Sequence, residues 1–93
     1  MITNTTTDII KALADDTRLN IVRTLAKLDK PAPSCDLVAS CASFLKLSQP
    51  AMSHHFSKLV DAGVILEEKQ GVQKMYTLNH ELLDSVGINA YKL

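Results

Sequence analysis

The spacing of apolar residues along this chain changes once, from helical to alternating, and the change divides it. Ile9, Ile10 and Leu13 are spaced as one side of a helix over about residues 7–14. A second helix runs from about Asp16 to Leu28, with an acidic start that suits a helix N-terminus and a stripe of Leu19, Val22, Leu25 and Ala26. Pro31-Ala-Pro33 then breaks the chain, and Ser34 is a candidate cap for a third helix from about Cys35 to Leu45. Leu37, Val38, Cys41, Phe44 and Leu45 are its apolar positions. Lys46-Leu47 makes a short turn into a fourth helix, capped by Ser48 and stopped by Gly63, with Pro50 tolerated because it falls in the first turn. Beyond Gly63 the period becomes two. Residues 64–69 and 73–78 read as strands about a Gln70-Gly71 turn, with a tip that holds Lys69, Val72 and Lys74. Asn79 can cap a last helix carrying Leu82, Leu83, Val86 and Ala90, which Gly87 weakens by roughly 1 kcal/mol relative to alanine.

The order α-α-α-α-β-β-α, with two helices joined by a tight turn and followed by a hairpin, predicts a winged helix-turn-helix. The fold class is mainly α with a small β-hairpin, in a single domain over residues 1–93. The fourth helix carries the chemistry. At 100° per residue, Met52, Phe56 and Leu59 fall on one line, flanked by His55 and Val60. The opposite side holds Ser53, His54, Ser57 and Lys58: donors and one fixed cation, with no carboxylate. Such a face suits an acceptor-rich anionic partner, and double-stranded DNA is the obvious one. His54 points away from the core and reads as a DNA contact or a solvated histidine. His55 flanks the core, where a structural hydrogen bond competes with direct readout. Consecutive helical residues diverge by about 100°, so the adjacent histidines do not form a metal pair.

Net charge is zero, so bulk electrostatics do not argue for nucleic acid. The distribution does. No acidic residue occurs between Asp36 and Asp61, a window holding Lys46, His54, His55 and Lys58. None occurs between Glu68 and Glu81, a window holding Lys69, Lys74 and His80. Lys58, Lys69 and Lys74 are candidates for phosphate contact. No run of about 20 apolar residues is present to span a membrane, and the N-terminus lacks the features of a signal peptide. The expected location is cytoplasmic, where Cys35 and Cys41 are thiols rather than a disulfide. Cys41 sits in the apolar stripe of the third helix. Cys35 lies near its start, where the helix dipole favours a thiolate, and is the candidate for redox sensing, with Cys41 second. On a continuous helix, residues six apart are about 240° around the axis, too far to bond within one subunit. No phosphate-binding loop or nucleophile–base cluster points to an enzyme, and no cofactor is implied.

Residues 12–25, Ala-Leu-Ala-Asp-Asp-Thr-Arg-Leu-Asn-Ile-Val-Arg-Thr-Leu, resemble the "ALADPTRLRIL" signature of the ArsR-type (arsenic repressor) family of bacterial regulators. Residues 47–64, from Leu-Ser-Gln-Pro through Ser-His-His-Phe to Ala-Gly-Val, are similar to its "LSQPTVSRHLKVLREAGLV" segment, and the hairpin ending in Met75-Tyr-Thr-Leu78 resembles its wing. The resemblance implies a homodimeric repressor that binds an operator and releases it on a chemical signal, with a small molecule or an oxidant as effector. It places Ser48, Gln49, Ser53 and His54 at the DNA and gives His55 a local structural or phosphate role. It also assigns the dimer interface to the first and last helices, to which Ile9, Leu13, Leu83 and Val86 would lend apolar faces. Two departures stand out. The segment from Leu28 to Ser48 is longer than usual, and the family's thiolate pair, Cys-x-Cys before Asp-Leu, is reduced here to Pro33 and Cys35. The family's other metal site, on the last helices, is also incomplete, since His80 is the only histidine there. No metal site is therefore expected. The alternatives are a winged-helix module that binds protein instead of an operator, and a metal-sensing repressor with a non-standard site.

Overall fold

Capping chemistry decides where the helices begin and end. The computed structural model describes residues 6–39 and 48–93, the side chains of Val38, Ala39 and Gln49 excepted. The turn expected at Lys46-Leu47 and the far half of the third helix, Cys41 included, lie outside the described residues. Helix α1 spans Thr6–Leu13 and α2 spans Asp16–Leu28. Asp15 caps α2: its carboxylate accepts the Arg18 N–H at 3.0 Å and satisfies one of the donors that a helix start leaves free. The far end of α2 closes with Asp29 at φ 52, its N–H returning to the Leu25 carbonyl at 2.9 Å. Aspartate is one of the few side chains that tolerate this left-handed position.

Pro31-Ala-Pro33 stops the helix as expected and does something more. Ala32–Pro33 forms a two-residue strand, β1, which pairs antiparallel with the second strand of the hairpin. The sheet order β1-β3-β2, with β2 at Ile65–Gln70 and β3 at Gln73–Leu78, leaves β1 on an edge, where proline, lacking an N–H, is tolerated. Helix α3 follows at Ser34–Ala39, so Ser34 is its first residue rather than its cap. Helix α4 spans Gln49–Asp61 with Ser48 as N-cap, its hydroxyl accepting the Ala51 N–H at 3.3 Å. Gly63, at φ 80, ends α4. Val64 N–H reaches the Leu59 carbonyl at 3.0 Å and Gly63 N–H the Val60 carbonyl at 2.9 Å, a Schellman closure.

The same device shortens the last helix. Helix α5 is His80–Ser85, capped by Asn79. Gly87 at φ 80 and the Ile88 N–H to Leu83 carbonyl bond of 2.9 Å close it, so Ala90 lies not in α5 but in a 3-10 turn, Ala90–Lys92. That turn packs on α2, where the Tyr91 hydroxyl donates to Asp29 Oδ1 at 2.8 Å and its ring stacks on His80. This hydrogen bond pushes the Tyr91 phenol above its ordinary pKa. One hydrophobic core gathers Ile9, Ile21, Val22, Leu25, Leu37, Phe56, Leu59, Val64, Ile65 and Leu83 from nearly every element. Ile9 and Leu83 are thus wholly buried within the chain and are not free faces for a partner; the exposed apolar residue of α1 is Ile10, at 54%.

Candidate nucleic-acid interface

Helix α4 is held to the body by one side and leaves the other open. Met52, Phe56 and Leu59 are buried, and the Phe56 ring stacks on Tyr76 of β3 with centroids 4.5 Å apart, which ties the helix to the hairpin. Burial pushes the Tyr76 phenol above its ordinary pKa, and the charge and hydrogen bond of Glu67 add to that. Ser53, His54, Ser57 and Lys58 are all exposed, as are the cap Ser48 and Pro50. The outer surface of α4 therefore presents hydroxyls, an imidazole and an ammonium group. Its nearest carboxylate in sequence is Asp61 at the far end. The Gln49 side chain lies outside the described set.

His55 is turned away from that surface. Its side chain is only 17% exposed and faces the corner between α1 and α2. Arg18 Nη1 lies 3.4 Å from His55 Nδ1, and Asp15 Oδ2 lies 3.7 Å from the same nitrogen. One ring nitrogen cannot accept from arginine and donate to aspartate at once. Arg18 is the closer group, so a ring nitrogen that accepts from Arg18 fits the geometry better. Arg18 also donates through Nε to the Ala12 carbonyl at 2.7 Å, closing the end of α1. The Arg18 backbone N–H holds the Asp15 carboxyl below its ordinary pKa, against the opposing push of burial, and the Arg18 charge assists.

The hairpin supplies the second cationic element. Its strands extend to Gln70 and from Gln73, so the turn is Gly71-Val72, with Gly71 at φ 64 and Val72 98% exposed. Lys69 and Lys74 are direct cross-strand partners. Like charges placed opposite each other destabilise a sheet, and here the Lys74 ammonium is answered by Glu67 Oε1 at 3.2 Å. Lys69 has no such ion pair among the described residues. Cys35 is exposed at the second position of α3, its Sγ 3.8 Å from Asp36 Oδ1. Among the described residues no three His, Cys, Asp or Glu side chains come together as a metal site.

The model of the bacterial regulatory protein arsR family matches residues 15–66, which run from the α2 cap to the first residues of β2. The chain belongs to the arsR family. It is a DNA-binding transcriptional repressor of that family and not an enzyme. The arsenical resistance operon repressor of Staphylococcus xylosus is 40% identical over 81 residues, covering 87% of this chain and 72% of that protein. A crystal structure of an ArsR family transcriptional regulator superposes with a TM-score of 0.71 at 28% identity, covering 86% of this chain and 76% of the other. Reduced HlyU from Vibrio cholerae superposes with a TM-score of 0.64 at 29% identity, covering 89% and 88%. The matched stretch contains Asp15 and Arg18, which apolar periods do not single out because neither belongs to a stripe. Two signals were available for them: an aspartate standing just before a helix start, and the place of both residues in the family's first signature.

Proposed function

We propose that this arsR-family chain acts as a two-fold dimer on an inverted-repeat operator, with the outer face of α4 in the major groove. The observation that carries the reading is the exposure of Ser53, His54, Ser57 and Lys58 on one side of a helix whose other side is buried. Ser48 and Gln49 at the start of α4 complete the contact set, and helix N-termini are well suited to phosphate and base edges. Lys69 and Lys74 on the hairpin take the flanking phosphates. Two such helices in a symmetric dimer reach successive grooves about one DNA turn apart, roughly 34–36 Å. The work is that of a cytoplasmic repressor, with residues 1–93 acting as one winged-helix domain.

Release follows a chemical signal received at Cys35, whose exposure at the start of α3 leaves the thiol open to oxidants. Cys41 is the second candidate. Arsenite and zinc act more weakly, because Pro33 stands where a second thiolate would be needed. The test of DNA contact is His54→Ala, which should lose operator discrimination by about 1–3 kcal/mol. Lys74→Ala should weaken operator and random DNA alike and reduce the salt slope by about one unit. Unchanged operator affinity and selectivity in His54→Ala would overturn the assignment of the face. For the signal, operator binding is titrated with and without mild peroxide in the parent and in Cys35→Ser. Equal sensitivity in both, or none in the parent, would remove Cys35 as the sensor.

A further inference from the structure

We infer that His55 is a positioning residue, which sets the rotation of α4 through Arg18 instead of touching DNA itself. The inference rests on the reading of α4 as the DNA-contacting helix and deepens it.

The contacts on the buried side of α4 are mainly apolar. Met52, Phe56 and Leu59 fix which side of the helix is buried, but hydrophobic burial is non-directional and leaves the fine rotation about the helix axis loosely set. Rotation decides which of Ser53, His54, Ser57 and Lys58 face a base edge, since neighbours on a helix diverge by about 100°. Among the described residues, the directional contact between α4 and the α1–α2 corner is the one at His55 Nδ1. Arg18 is well suited to impose direction because its planar fork is fixed elsewhere. Nε donates to the Ala12 carbonyl at 2.7 Å, Nη2 lies 3.5 Å from the Lys11 carbonyl, and the Arg18 backbone N–H is held by Asp15 at 3.0 Å. The remaining nitrogen, Nη1, points at His55. One guanidinium thus joins the last turn of α1 to the side of α4 away from the open face. Lysine, with a single flexible ammonium, cannot satisfy the carbonyls and the imidazole together.

A second consequence concerns coupling. Helix α1 also carries Ile10, the exposed apolar residue that would meet a second subunit. Arg18 therefore links the helix proposed for pairing to the helix proposed for reading, so displacement of α1 is passed to α4 through a polar contact that can break cleanly.

The experiment measures affinity for a selected operator and for a random duplex of equal length, with the melting temperature of each variant beside it. The proteins are the parent, His55→Ala, His55→Asn, Arg18→Lys and the double variant His55→Ala/Arg18→Lys. His55→Asn places an amide oxygen close to where the imidazole holds Nδ1, so Arg18 can still donate to it. We expect His55→Ala and Arg18→Lys each to lose about tenfold in operator affinity with little change on random DNA, and the double variant to be no worse than either. His55→Asn should recover most of the loss. A purely structural role would track melting temperature and would not be rescued selectively on the operator. Additive losses in the double variant would show that the ring acts independently of Arg18 and would overturn the inference. So would a His55→Asn protein that melts like the parent yet binds like His55→Ala. A parent that does not distinguish operator from random DNA would instead sink the reading of α4 itself, and the inference with it.

Discussion

Asp15 and Arg18 show how much one helix junction can depend on two side chains. The Asp15 carboxylate caps α2, and Asp15→Ala should lower stability by about 0.5–2 kcal/mol in urea denaturation at neutral pH, whereas Asp15→Asn keeps a cap acceptor and should stay near the parent. The acid limb separates the two substitutions. The folded pKa of Asp15 is lowered beneath the roughly 3.9 of an unfolded chain, so its contribution is complete above that pH and is lost as pH falls through the folded value. Between neutral pH and about pH 3 the parent should therefore lose more stability than Asp15→Asn, by a modest margin because the side chain is a third exposed. Parallel acid titrations of both proteins check this; coincident limbs would contradict it. On the hairpin, Glu67 pairs with Lys74 at 3.2 Å and competes with any phosphate for the same ammonium. Glu67→Gln should strengthen binding to operator and random DNA alike and steepen the salt dependence, while Lys69→Ala should do the reverse. Binding isotherms at several salt concentrations would read both effects.

The hairpin depends on Gly71, which turns the chain at φ 64 between Gln70 and Gln73. A Cβ at Gly71 would meet nothing within 4 Å, so Gly71→Ala should cost about 1–2 kcal/mol through backbone strain alone. Thermal unfolding measures that cost, and a neutral result would mean that the turn relaxes. Much of this architecture was legible in the sequence, because caps and stops are local chemistry: Ser48, Gly63 and Asn79 act at the ends they mark. β1 was not legible. A two-residue strand carries no period, and Ala32–Pro33 is defined by its partners Tyr76 and Met75, far away in sequence. The length of the last helix is not legible either, because Gly87 reads as a weak helical residue until its left-handed φ closes α5 beneath Ile88. At the candidate site, the split of α4 into a buried and an open side followed from its period. The partner of His55 could not follow, because Arg18 reaches it across a tertiary contact.

For the whole molecule, operator binding in the proposed form takes two copies acting together. Ile10 is 54% exposed on α1, while Ile9 beside it is fully buried, so the two separate pairing from folding. Ile10→Glu should leave the circular dichroism and cooperative unfolding intact, weaken self-association in analytical ultracentrifugation, and reduce operator affinity more than affinity for random DNA. An Ile10→Glu protein that associates like the parent would place the interface elsewhere. The central claim is that the open face of α4 reads sequence, in pairs, on duplex DNA. Its most direct test is selection of bound duplexes from a random-sequence pool by the purified parent and by His54→Ala. The parent should enrich an inverted repeat with half-sites about 10–10.5 base pairs apart, or a multiple of that spacing, and His54→Ala should lose preference at the same position in each half. Recovery of no enriched sequence by the parent, or of the same repeat at full strength by His54→Ala, would contradict it.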